Sequence, residues 1–188
     1  MTFVLAAVGW GLFGAGALTH GLHRDRLTDL LTLHVGDRAN ALSLAVTIAE
    51  AAIAAAIVLS VLTGSHAVVY VAAAAGAILG LGFSVWVARL WASDSSLPCA
   101  CSFSSAPTSV WSMTRSALTV LIGLFLVSGP LPDLDGAAST VAGLAALLAG
   151  GAIGFALFVL PDAIAWPSYI GDMKERAASQ PVIGRVVE

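Results

Sequence analysis

The feature that most constrains this chain is the length of its stretches without charge. Between Ala39 and Ala88 the one acidic or basic residue is Glu50, and there is none from Ser116 to Pro132 or from Gly136 to Pro161. A helix needs about 20 mainly apolar residues to cross the hydrocarbon core of a bilayer. With only 10% charged residues, the chain cannot cover a water-facing surface as soluble domains do, since these carry roughly 25%.

These stretches predict an all-α fold, a polytopic transmembrane bundle of about five spans, because backbone groups in lipid must be bonded within each helix. We place the spans at about residues 2–18, 39–62, 67–91, 110–128 and 137–160. Residues 1–160 then form one membrane domain. Pro161 and Pro167 are expected to end the last helix, which leaves 161–188 as a polar C-terminal tail.

Two shorter patterns add detail to this topology. In the polar segment 20–38, Leu27, Leu30 and Leu31 recur at helical spacing, which predicts a short amphipathic helix at the membrane interface. The pairs Gly76/Gly80 and Gly150/Gly154 form GxxxG motifs, and small residues at that spacing allow close approach of helices.

The basic residues predict an orientation. With five spans, all eight fall on the side that holds the first loop, the loop between spans three and four, and the C-terminus: Arg24, Arg26, Arg38, Arg89, Arg115, Lys174, Arg176 and Arg185. The positive-inside rule places that side in the cytoplasm of a multi-pass cell-membrane protein. The expected surroundings are therefore the lipid bilayer, and no basic patch indicates nucleic acid.

Both cysteines, Cys99 and Cys101, lie in the polar loop between spans three and four. A CxC pair can close into a strained disulfide, and strained, exposed disulfides exchange readily. Arg89 and Arg115 flank the loop, and a nearby cation favours the reactive thiolate. A redox role, a metal-binding role and an inert pair all remain open. Net disulfide formation belongs on the exoplasmic side, whereas the charge bias places this loop in the cytoplasm.

Several other side chains are candidates for chemistry. Glu50 lies near the middle of span two, where an acid usually faces the bundle interior or a water-filled cavity, so it is a candidate proton carrier or a structural hydrogen-bonding group. His20 and His23 lie on the same predicted side as the cysteines. Two histidines and two thiolates can form a tetrahedral soft-metal site, although histidines in a solvated interfacial loop are the commoner case.

Three parts of the chain resemble the MauE branch of the DoxX-like membrane proteins. The first is the polar and amphipathic segment 20–38, and the second is a glutamate inside span two, here Ala49-Glu50-Ala51-Ala52. The third is a CxC loop followed by proline, tryptophan and arginine, here Cys99-Ala100-Cys101, Pro107, Trp111 and Arg115. The chain departs from the family pattern in having Ala100 for glycine, Ser102 for phenylalanine, His20 at a lysine-like position and Ser116 for asparagine.

The resemblance implies thiol–disulfide exchange through the CxC loop, in the maturation of exported or membrane redox proteins with a thioredoxin-like partner. Cys99, Cys101, Glu50, Arg89 and Arg115 would be the catalytic residues. No specific motif identifies a cofactor, and a quinone or a soft metal are the two candidates. The alternatives are an accessory subunit of a larger membrane complex and a metal-handling membrane protein.

Overall fold

The computed structural model describes residues 2–63, 65–92, 110–128 and 141–179, and within these ranges the secondary structure is helical. A 3-10 turn at Gly36–Arg38 joins the second and third α-helices. The helices of the described residues are α1 Thr2–Leu22, α2 Arg24–Val35, α3 Ala39–Thr63, α4 His66–Ala92, α5 Val110–Ser128 and α6 Val141–Ser179. The predicted all-α bundle is confirmed.

The outer surface of the bundle is apolar. By length and composition, four stretches can cross a membrane: Val4–Leu22, Arg24–Thr63, His66–Ala92 and Gly143–Leu160. The apolar part of α5, Ser112–Ser128, is shorter. Val71, Ile78 and Leu148 are each more than 70% exposed. Since a soluble protein does not expose apolar area on this scale, the chain is a multi-pass membrane protein.

Two helices extend beyond their predicted ends. α1 continues to Leu22 rather than stopping at residue 18, and α6 continues to Ser179, so the prediction that Pro161 and Pro167 end the last helix is wrong. A proline removes one ladder hydrogen bond. Membrane helices tolerate this loss because neighbouring groups can bond the freed carbonyl. The division into a membrane domain and a polar tail stays a prediction.

α1 is the central helix of the bundle, and it packs most closely against α6. An added Cβ at Gly154 would collide with the backbone of Val8 and Leu12, and one at Gly151 would collide with the Trp10 ring. Trp10 Nε1 also donates a hydrogen bond to the Leu147 carbonyl across this contact, at 2.8 Å. Glycine at Gly150 and Gly154, which form the GxxxG motif, and at Gly151 between them brings the two helices together. We refer to this contact as the α1–α6 seam.

The predicted amphipathic helix is α2. Its buried face, formed by Leu27, Leu30 and Leu31, packs with Ala39 and against Trp86 of α4. The chain turns from α2 towards α3 at Gly36, whose φ of +58° is readily adopted by glycine. α2 therefore folds back onto the bundle beside the start of α3.

Four helix termini lie at the same end of the bundle, which we call end B. α1 and α3 are antiparallel, since Gly9 faces Ile57 and Gly16 faces Glu50. α4 and α5 are antiparallel as well, since Gly80 faces Thr119 and Gly123 faces Ala77. End B is thus where α1 ends, α3 begins, α4 ends and α5 begins.

Candidate functional site: a buried polar cavity

The closest charged contact among the described residues joins α1 to α3. His20 Nδ1 lies 2.6 Å from Glu50 Oε2, and the two residues are 1% and 4% exposed. Hydrogen bonds in which one partner is ionised are shorter and about twice as strong as neutral ones. The acid predicted to face the bundle interior does so, and a histidine is its partner.

Local sequence creates the room for this pair. Helical side chains lean towards the N-terminus of their helix, so the imidazole of His20 reaches back towards Gly16. A Cβ at Gly16 would lie 2.7 Å from Glu50 Oε1. The missing side chain one turn before His20 therefore lets the carboxylate approach α1.

A third ionisable side chain, Arg115, enters the same region from α5. It is 6% exposed, its Nη1 donates a 3.4 Å hydrogen bond to the Phe158 carbonyl, and its guanidinium lies 4.4 Å from the centre of the Phe158 ring. Attraction between a cation and the face of an aromatic ring stabilises this arrangement. Arg115 turns into the bundle because α6 supplies a carbonyl and a ring there, and its predicted position beside the cysteine loop stays a prediction.

These three side chains line a cavity of about 40 Å³. A cavity of roughly 10–15 Å³ can hold one water molecule, so this one has room for a few. All five long helices contribute to its wall, and α2 does not. The lining residues are Phe13, His20, Glu50, Gly80, Phe83, Arg115, Ser116, Thr119 and Phe158.

The second ring nitrogen of His20 is available for chemistry. Nε2 is buried and has no hydrogen-bond partner among the described residues. The ring of Phe83 lies beside the imidazole, with ring centres 5.7 Å apart. An imidazole held by a carboxylate at one nitrogen and free at the other is suited to hydrogen bonding and proton exchange at the free nitrogen.

The predicted catalytic residues fall into three groups. Glu50 and Arg115 line the cavity together, whereas Arg89 is exposed on α4 and does not line it. Cys99 and Cys101 lie outside the described residues, so their role stays a prediction.

The histidines differ from their predicted setting. His20 is not in a solvated loop, because α1 continues past it and turns it into the core. His23 is partly exposed just beyond α1 and does not line the cavity. Within the described ranges, no group of three His, Cys, Asp or Glu residues could hold a metal ion. A metal site that combines the histidines with the two cysteines stays a prediction.

Sequence reasoning did not identify the apolar wall of the cavity. Phe13, Phe83 and Phe158 come from three different helices, and phenylalanine in a membrane helix carries no positional signal. Gly16 was also missed, because it belongs to no GxxxG pair that marks a close approach.

The match to a known family extends over most of the helices that form the cavity. The family model described as Methylamine utilisation protein MauE matches residues 1–129 of the 188 residues. No curated protein and no solved structure matches the chain. The matched residues include His20, Glu50 and Arg115, and they end before α6, which supplies Phe158.

Proposed function

This chain belongs to the MauE family of integral membrane proteins, and from that premise we propose that it is a membrane thiol–disulfide exchange protein. Cys99 and Cys101 form its exchanging pair, and its partner is a thioredoxin-like protein. The exchange supports the maturation of exported or membrane redox proteins.

One observation carries this proposal: buried His20, Glu50 and Arg115 converge on one cavity towards end B of the bundle. Ionisable groups inside a membrane protein are costly and mark functional sites. In sequence, the two cysteines lie between Ala92, where α4 ends, and Val110, where α5 begins. Arg115 is the sixth residue of α5. In chain order, the cysteines therefore come between two helix termini of end B, the end towards which the acid–base groups lie.

The exchange chemistry balances between the two proteins. A thiolate of Cys99 attacks a disulfide sulfur of the partner, which forms a mixed disulfide and releases one partner thiolate. A thiolate of Cys101 then attacks the Cys99 sulfur, which releases the second partner thiolate and leaves Cys99 and Cys101 oxidised. Two electrons pass to the partner. In the reverse sequence, the partner's two thiols reduce the CxC disulfide, and the partner becomes oxidised.

Each thiol that becomes a thiolate gives up a proton. Glu50, paired with His20, is the proposed carrier of such protons inside the bundle, and the cations of Arg89 and Arg115 favour the thiolate form of the cysteines. A quinone and a soft metal stay the two candidate cofactors.

The orientation of the protein decides the direction of exchange. The bias of basic residues favours an orientation with end B in the cytoplasm of a cell-membrane protein, where the CxC pair would receive electrons from a reducing donor. The opposite orientation would expose the pair to the oxidising side, where net disulfide formation occurs.

Trapping of the mixed disulfide tests the function. Cys101→Ser leaves the first attack possible but removes the second, so a partner should accumulate as a covalent adduct that reductant releases. Cys99→Ser in the same background abolishes the adduct and is the matched control. Maturation of exported disulfide proteins that proceeds normally in both single variants would contradict the proposal.

Labelling with a membrane-impermeant thiol reagent tests the orientation separately. The reagent should label the cysteines of intact cells only if end B faces outward, and of inverted vesicles only if it faces the cytoplasm. Prior reduction that increases the labelling would show that the pair is held oxidised.

A further inference from the structure

Three buried polar atoms at end B have no hydrogen-bond partner among the described residues: His20 Nε2, Arg24 Nε and Ser43 Oγ. They come from the end of α1, the start of α2 and the second turn of α3. A buried polar atom without a partner is costly, and internal water molecules commonly bond such atoms in folded proteins. Three of them at one end of the bundle therefore indicate internal water there.

Ser43 gives the clearest indication of the three. Its side chain is fully buried, at 0% exposure, where α2 packs over the start of α3. A buried helical serine can donate its hydroxyl hydrogen to a carbonyl of its own helix. Ser60, which is equally buried on α3, does so to the Ile57 carbonyl at 2.6 Å. Ser43 makes no such bond, so its hydroxyl is available to a water molecule.

Ser43 belongs to a row of polar side chains on one side of α3. Four residues spaced three, four and three positions apart form this polar row: Asn40, Ser43, Thr47 and Glu50. At a rise of 1.5 Å per residue, the row covers about 15 Å of the helix axis. Asn40 is exposed at end B and Glu50 is buried. Arg24 Nη2 donates a 2.6 Å hydrogen bond to Asn40 Oδ1, which places the unpaired Nε at the outer end of the row.

The inner half of the polar row faces α1. A Cβ added at Gly21 would lie 3.9 Å from Thr47 Cγ2, and His20 Nδ1 is bonded to Glu50. His20 and Glu50 line the cavity of about 40 Å³, which has room for a few water molecules. The row therefore leads from the exposed end of α3 to a polar cavity.

We propose that bound water molecules join Arg24, Ser43 and His20 along the polar row, and that this path carries protons between end B and Glu50. The proposal rests on the proposed role of Glu50 as a proton carrier, and it gives that buried acid a route to the aqueous phase. Each water molecule accepts one proton and passes on another. The imidazole of His20 accepts one at Nε2 and passes the one at Nδ1 to Glu50, so only bonds to hydrogen change and no electron moves.

Hydrogen exchange of the His20 imidazole, in the full chain purified in detergent, tests the path. Saturation transfer from water to the ¹⁵N-labelled ring measures the exchange rate, and His20→Asn identifies the signal among the four histidines. Ser43→Val should slow the exchange by about tenfold or more, because it removes the hydroxyl from the row. Ser43→Thr has the same shape but keeps the hydroxyl, so it should exchange at close to the wild-type rate. Ser60→Val is the matched control on the same helix and should leave the rate unchanged.

X-ray radiolysis tests for the water itself. A short pulse produces hydroxyl radicals from water in place, and a thiol beside a bound water molecule is oxidised. With Cys99 and Cys101 both replaced by serine, the thiol introduced by Ser43→Cys should be oxidised about tenfold more than that introduced by Ser60→Cys. Mass spectrometry measures both. Since no native cysteine remains in this background, the result does not depend on thiol exchange.

The proposal is overturned if Ser43→Val and Ser43→Thr exchange at the same rate, because the hydroxyl then plays no part. It is also overturned if Ser60→Val slows the exchange as much as Ser43→Val does, or if the two introduced thiols are oxidised equally. Should Ser43→Val fail to fold, the radiolysis comparison decides. A positive radiolysis result together with failure to trap a partner on Cys99 would contradict the thiol exchange alone and leave the water path standing.

Discussion

The α1–α6 seam and the cavity at end B both depend on α1, yet glycine serves a different purpose in each. In the seam, Gly151 and Gly154 let backbone meet backbone or ring, and no space remains. At the cavity, Gly16 makes room for a carboxylate instead. The seam therefore provides close packing, whereas the cavity keeps ionisable groups inside the membrane, where their cost marks a candidate functional site.

The largest expected effect lies at the cavity. Glu50→Ala should lower the free energy of unfolding by about 3–5 kcal/mol, because it leaves a buried polar partner uncompensated. His20→Ala should have a similar effect, and the double variant should cost clearly less than the two single changes added together. Denaturant unfolding in detergent measures this cycle. Strict additivity would mean that the 2.6 Å contact contributes nothing to stability.

The seam should respond to a single methyl group. Gly154→Ala places a Cβ against the backbone of Val8 and Leu12, and overpacking of this kind costs about 2 kcal/mol. Gly82→Ala is the matched control on α4, where an added Cβ meets nothing within 4 Å. That control should be neutral or stabilising by up to about 1 kcal/mol, since alanine is the better helix former. Equal unfolding midpoints for the two variants would contradict the importance of close packing in the seam.

A smaller effect is expected from the hydrogen bond that the Trp10 side chain donates across the seam. Trp10→Phe keeps most of the ring but removes the Nε1 donor to the Leu147 carbonyl, which should cost about 1 kcal/mol. Unfolding of this variant, measured beside Gly154→Ala, separates the contribution of the bond from that of the packing. A loss as large as that of Gly154→Ala would show that the bond, rather than the glycines, holds the seam.

The variant that we expect to change stability least, Arg115→Met, should change the thiol–disulfide chemistry most. Arg115→Met replaces a buried cation by an apolar side chain of similar length, so the free energy of unfolding should change by less than about 1 kcal/mol or rise. Formation of the trapped mixed disulfide should fall in the same variant. Unchanged trapping would contradict a role for Arg115 in thiolate chemistry, while a large loss of stability would make it a structural residue.

The sequence predicts the parts of this molecule that depend on composition and local spacing. The charge-free stretches predict the helices, and the leucines of α2 predict its buried face. Glu50 was identified because an acid in an apolar stretch is conspicuous.

The contacts of the cavity depend on tertiary packing and were not predicted. His20 was assigned to a loop because its neighbours are polar, but the additional turn of α1 directs it inward. Its partner, Glu50, lies 30 residues away on another helix, and no local sequence pattern predicts such a pairing. Arg115 was predicted only to flank the cysteine loop, because it lies near a helix start. The Phe158 carbonyl and ring that hold it inside belong to α6.

The contribution of all five long helices to one cavity sets an order for assembly during synthesis. His20 and Glu50 can pair once α1 and α3 are in the membrane, so the acid has a partner before half of the chain exists. Arg115 enters with α5 and must wait for α6 to bring Phe158. Until then its guanidinium needs water or the insertion machinery as a temporary environment. A chain that terminates before α6 should therefore be a substrate for membrane quality control.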